Sequence, residues 1–90
     1  MLEIKNYMED LVFTQLDEVV KDVGACGCEK CRMDIAAIAL NSLKPHYVVT
    51  AKGRLYTKLN TLQQQFDVDV LSAITKAAMF VKMNPRHEQN

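Results

Sequence analysis

The chain has 90 residues, 49% of them hydrophobic, with three Gly, two Pro and no Trp. That is too apolar for a disordered chain and too poor in turn residues for a β-rich architecture. Eleven basic residues balance eleven acidic ones, which argues against indiscriminate binding of polyanions.

Residues 2–23 read as an amphipathic helix. Ile4, Met8, Leu11, Leu16, Val19 and Val23 recur three to five apart, and Glu9, Asp10, Asp17 and Glu18 decorate the other side. Gly24 suits a helix terminator, since glycine takes the left-handed conformation without a Cβ clash. A tight turn holding Cys26, Cys28 and Cys31 follows. A second helix is expected from near Glu29 to about Leu43. It is apolar nearly all round after Asp34, so it is expected to be the central, most buried helix. Lys44-Pro45 ends it, because the proline ring disfavours helix in the residue before it. His46 to Thr50 is β-branched and reads as a short extended stretch, with no second strong strand to pair with it. Such a strand is expected to pair across a dimer axis or receive a ligand. From Arg54 to Met83, Leu55, Leu59, Leu62, Phe66, Val70, Ile74, Ala77 and Val81 form one helical stripe. Its length suggests a dimer seam, with a break near Asp67-Val68 as the alternative. The expectation is one all-α domain over residues 1–90, with three to four helices and a short extended segment. No apolar run approaches the ~18 residues that span a bilayer, and the acidic start does not resemble a signal peptide. A cytoplasmic protein with no membrane partner is expected.

That compartment keeps thiols reduced, so three cysteines in six positions point to metal binding or chemistry. Zinc takes about four ligands in a tetrahedron, and C-x-C-x-x-C at a turn can fill three corners. The helix N-terminus, Lys30 and Arg32 are expected to lower the thiol pKa values. His46, His87, Glu29 and Asp34 are possible fourth ligands. His46 lies a whole helix away from the cysteines, over ~20 Å at 1.5 Å per residue. His87, in a tail after a proline stop, is favoured. Buried structural thiols and C-x-x-C redox chemistry are the competing readings, the latter without the βαβ pattern it needs.

Charge is unevenly spread. Residues 1–34 carry eight acids and four bases, whereas residues 35–66 carry no acid and four bases: Lys44, Lys52, Arg54 and Lys58. Within that stretch, Tyr47, Tyr56 and His46 offer stacking surfaces, and Gly53 permits close backbone approach. These are residue types that a small nucleotide needs, although a basic segment is more often a solvated face. The sequence has no nucleophile–base pair, H-E-x-x-H, P-loop or G-x-G-x-x-G, so an enzyme is not expected.

The cysteine cluster, the apolar "DIAAIALNSLKP" and "YVVTAKGRLYTK", followed by a long helix and "NPRH", resemble the late competence protein ComFB family over almost the whole chain. The resemblance implies a small helical dimeric domain with a structural zinc site and a place in competence- or motility-type regulation. Cys26, Cys28 and Cys31 match the family's clustered ligands. His87 falls near the place of a C-terminal cysteine that this chain lacks. The resemblance further implies a receptor for cyclic dinucleotides, cyclic di-GMP or cyclic di-AMP; the acid-free stretch offers Lys44, Tyr47, Lys52, Arg54 and Tyr56 as the ligand-binding residues, and an unidentified regulatory partner is expected to receive the signal. The alternative is a zinc-stabilised dimeric interaction module with no nucleotide. A small DNA-binding regulator ranks last, because the acidic first third would repel DNA.

Overall fold

The computed structural model describes residues 2–51 and 58–84, with side chains described for 2–50 and 66–84. The order is β1 (Leu2–Asn6), α1 (Tyr7–Val23), α2 (Glu29–Ser42), β2 (Tyr47–Ala51) and α3 (Lys58–Met83). The chain is mostly helical, but it is not all-α: β1 and β2 form an antiparallel two-stranded sheet.

The sheet corrects the expected first helix. Leu2-Glu3-Ile4-Lys5 alternates apolar and polar residues, a strand period that the longer helical pattern absorbs in the sequence. Ile4 lies opposite Val49 and Asn6 opposite Tyr47, so β2 has its partner within the chain. The argument for strand pairing across a dimer axis therefore loses its premise. Asn6 is the switch between the elements. Its Oδ1 caps α1 by accepting from the Met8 N–H (3.2 Å) and also accepts from the His46 N–H (2.9 Å). The Tyr7 N–H donates to the His46 carbonyl (2.8 Å). One side chain thus satisfies a helix N-terminus and ties it to the strand returning from α2.

The core lies among the three helices. Leu11, Val12, Leu16 and Val19 come from α1, Cys31, Ile35 and Ala39 from α2, and Val70, Ile74, Ala78 and Val81 from α3. Small residues at 36, 39, 77 and 78 let α2 and α3 approach closely. α1 buries more side chains than α2, whose Met33 and Ile38 are exposed. The expectation that α2 is the most buried helix is therefore overturned. With only two neighbouring helices, α2 has one face to bury.

α3 runs unbroken through Asp67-Val68 to Met83. Its apolar stripe from Phe66 to Val81 packs into the core of its own chain rather than forming an external seam. Leu55, Leu59 and Leu62 lie outside the residues whose side chains are described.

α1 ends as expected at Gly24, with φ +79° and its N–H bonded back to the Val20 and Lys21 carbonyls. The Ala25 N–H also returns to Val20 (3.0 Å), completing the left-handed cap. Lys82, in the last turn of α3, donates from Nζ to the Val23 carbonyl (2.9 Å). The end of α3 is thereby fastened beside the loop that carries the first cysteines.

Candidate metal centre and a second site at the opposite end

The three cysteines meet in space. Their Sγ atoms all lie within 4.8 Å of one another. A zinc–sulfur bond of ~2.3 Å in a tetrahedron requires sulfurs about 3.8 Å apart, so the donor set fits that ion with small adjustments. The backbone prepares the sulfurs. Cys28 is the N-cap of α2 and accepts from the Cys31 N–H (3.4 Å), while the Cys28 N–H donates to Cys26 Sγ (3.5 Å). Cys31 is buried, Cys26 half-buried and Cys28 exposed, so the cluster spans core and surface.

The electrostatics differ from the sequence expectation. Burial, reinforced by hydrogen bonds with Cys28 and Cys26, pushes the Cys31 thiol up to about 12. Lys30 is engaged by Asp34 at 2.8 and 2.9 Å, and Arg32 by Asp17 at 2.7 Å. The two cations expected to favour thiolates are therefore paired with carboxylates. A bound divalent cation would supply the missing positive charge, since a coordinating thiol is deprotonated outright.

Among the proposed fourth ligands, Asp34 is held by Lys30. His46 sits at the other end of α2, its ring 5.3 Å from that of Phe66. His87 lies outside the described residues.

That other end holds a cavity of about 440 Å³, walled by Met8 of α1, Ser42 and Leu43 at the end of α2, Lys44, and Phe66, Asp69, Ser72, Ala73 and Lys76 of α3. Of the expected nucleotide-binding residues, Lys44 lines it. Tyr47 does not, lying two-thirds exposed on the outward face of the sheet beside Ile4 and Val49. Lys52, Arg54 and Tyr56 lie outside the described residues. The α3 wall was not expected from the sequence. Its only signal there is the spacing of Phe66, Asp69, Ala73 and Lys76, a helical ridge next to the core stripe.

The family model described as "Late competence development protein ComFB" matches residues 5–85. The Competence protein ComFB of Bacillus subtilis (strain 168) is 30% identical over 78 residues, which cover 87% of this chain and 76% of that protein. The solved structure of the late competence protein ComFB from Bacillus subtilis matches with a TM-score of 0.77 at 27% identity, covering 98% of this chain and 100% of that one.

Proposed function

This chain belongs to the late competence development protein ComFB family, and from that premise we propose that it is a non-enzymatic, cytoplasmic regulatory domain that binds a cyclic dinucleotide and is stapled by zinc. In this reading residues 1–90 act as one domain, and the regulatory output is of the competence type named for its relatives. No helix among the described residues is long and apolar enough to cross a membrane.

The observation that carries the receptor reading is the cavity beside Lys44. It joins two ammonium groups, Lys44 and Lys76, to an aromatic ring, Phe66, in a volume within the range of small-molecule sites. Lys52, Arg54 and Tyr56 follow β2 closely in sequence and complete the proposed ligand set. Tyr47, on the outward sheet face, would reach a ligand held between two copies. A two-fold ligand suits a two-fold homodimer. The outward apolar face of the sheet, formed by Leu2, Ile4, Val49 and Tyr47, supplies a surface for the second copy. Calorimetry with cyclic di-GMP and cyclic di-AMP tests the reading. Binding that weakens in Lys44→Ala supports it, and no heat with either ligand at high micromolar concentration refutes it.

Zinc would be held by Cys26, Cys28, Cys31 and His87. Lys82 contacts the segment leading into the cysteines, and an extended chain from 84 to 87 can span about 10 Å. Elemental analysis of the purified protein checks the metal.

A second reading, a dimeric interaction module without a nucleotide, is favoured by one observation. Val68, Leu71, Met79, Phe80 and Met83 are exposed apolar residues on α3. It predicts partner binding that is indifferent to cyclic dinucleotides.

A further inference from the structure

The cysteine cluster is arranged for a second chemistry besides metal binding. Cys28 and Cys31 form a C-x-x-C pair at the start of α2, with Cys28 as the N-cap and Cys31 three residues on. At a rise of ~1.5 Å and ~3.6 residues per turn, helix positions three apart have Cα atoms about 5 Å apart. A disulfide takes Cα atoms roughly 4.4–6.8 Å apart. The Cys31 N–H already donates to Cys28 Sγ (3.4 Å), and the two sulfurs lie within 4.8 Å. Closing an S–S bond therefore asks for side-chain rotation rather than movement of the helix. A Cys26–Cys28 bond would instead close a tight ring around the single residue Gly27, which strains a disulfide.

Access divides the pair. Cys28 is exposed, whereas Cys31 is wholly buried in the core. An oxidant from solvent reaches the first sulfur and not the second. An accessible cysteine at a helix N-terminus, beside a second that resolves it, is the arrangement of reactive thiol pairs. We propose that Cys28 and Cys31 are a reversible dithiol–disulfide pair closed by peroxide, and that the disulfide and a bound metal exclude one another. The Cys28 sulfur attacks one peroxide oxygen: the S–O bond forms, the O–O bond breaks, and the departing hydroxide takes the Cys28 proton as water. The Cys31 sulfur then attacks the sulfenic sulfur of Cys28. The S–S bond forms, the S–O bond breaks, and hydroxide leaves with the Cys31 proton as a second water. Two thiols thus give two electrons to one peroxide; starting from thiolates, both oxygens leave as hydroxide. A small dithiol reverses the reaction by exchange. The disulfide withdraws two of the three clustered sulfurs from metal binding. That consequence rests on the zinc reading, whereas the disulfide itself does not.

Lys30 lies between the two cysteines, so trypsin leaves Cys26 and Cys28 on one peptide and Cys31 on another. The full chain as purified is analysed for zinc, treated with hydrogen peroxide, alkylated and digested without reductant, while a chromogenic chelator reads released zinc. The two peptides should be joined, dithiothreitol should part them, and zinc should leave in step with the link. Cys26→Ser should keep the link. Cys28→Ser, whose hydroxyl still caps α2, should lose it. Peptides that stay separate in the wild type overturn the proposal, whether Cys28 remains a thiol or goes on to sulfinic acid. So does a link that survives in Cys28→Ser or is lost in Cys26→Ser. Zinc that stays bound to fully linked chains overturns the exclusion. A purified chain without zinc refutes the zinc reading alone, and the peptide map still decides the pair.

Discussion

Cys31→Ala separates the two roles that a buried thiol can play. Cys31 is wholly buried among core residues of α1 and α3. Deleting its sulfur leaves a void close to that of an Ile→Val change, costing about 1 kcal/mol. If Cys31 also holds zinc, a second loss appears: with free zinc a thousandfold above its dissociation constant, binding adds about 4 kcal/mol to the folded state. In a domain of this size each kcal/mol moves the melting temperature by about 4–8 °C. Packing alone therefore predicts a fall of several degrees, and the metal adds on the order of 20 °C. Thermal melts of the wild type and the variant, each with and without a strong chelator, divide the two. The chelator should lower the wild type by the larger amount and leave Cys31→Ala almost unmoved. Cys31→Ser, which keeps the volume but not the thiolate, should behave like the alanine variant toward the chelator. A wild type indifferent to chelator refutes the metal argument, and a variant still sensitive to it removes Cys31 from the ligand set.

His87→Ala should lower zinc content and melting temperature together; if both stay at wild-type values, the fourth corner is filled by another group. Ile4→Glu places a charge on the outward sheet face, where Ile4 is 71% exposed. It should change monomer stability by no more than about 0.5 kcal/mol, yet break the homodimer proposed above and shift sedimentation toward monomer; a dimer that persists in the variant would place the seam elsewhere, and a wild-type monomer would refute the dimer. Gly24→Ala puts a Cβ on a residue at φ +79°, 3.4 Å from Lys82 Nζ. The left-handed conformation costs about 1–2 kcal/mol, so melting should fall by roughly 5–15 °C, and an unchanged melt would contradict the cap.

Helix ends were the most legible part of the fold, because their signals are local. Gly24 and Lys44-Pro45 act on their own backbone and immediate neighbours: α1 is capped at Gly24, and α2 ends at Ser42, just ahead of Lys44-Pro45. The cysteine triad was legible for the same reason: six residues of turn and first helical turn bring three Sγ atoms together without help from elsewhere. β1 was not legible. Leu2, Ile4 and Met8 fit a helical stripe and a strand equally well over so short a run, and the decision comes from β2, some forty residues away. Asn6 carried a local clue, as an N-cap residue ahead of Glu9 and Asp10. Its second bond, to the His46 N–H, exists only after the chain has returned.

The cavity was hidden by the way charge is counted along a chain. Residues 35–66 hold bases and no acids, which directs a search for anion chemistry to that stretch alone. The next acids, Asp67 and Asp69, begin a segment that looks neutral and unremarked in a linear tally. Folding reverses the grouping. α3 packs on α2, so Asp69 and Lys76 come to line one cavity with Lys44, while Tyr47, only three residues from Lys44, is exposed on the sheet. Separation along the sequence therefore misassigns both members of the comparison. A basic stretch is evidence for a phosphate site only after the acids that fold back onto it are known.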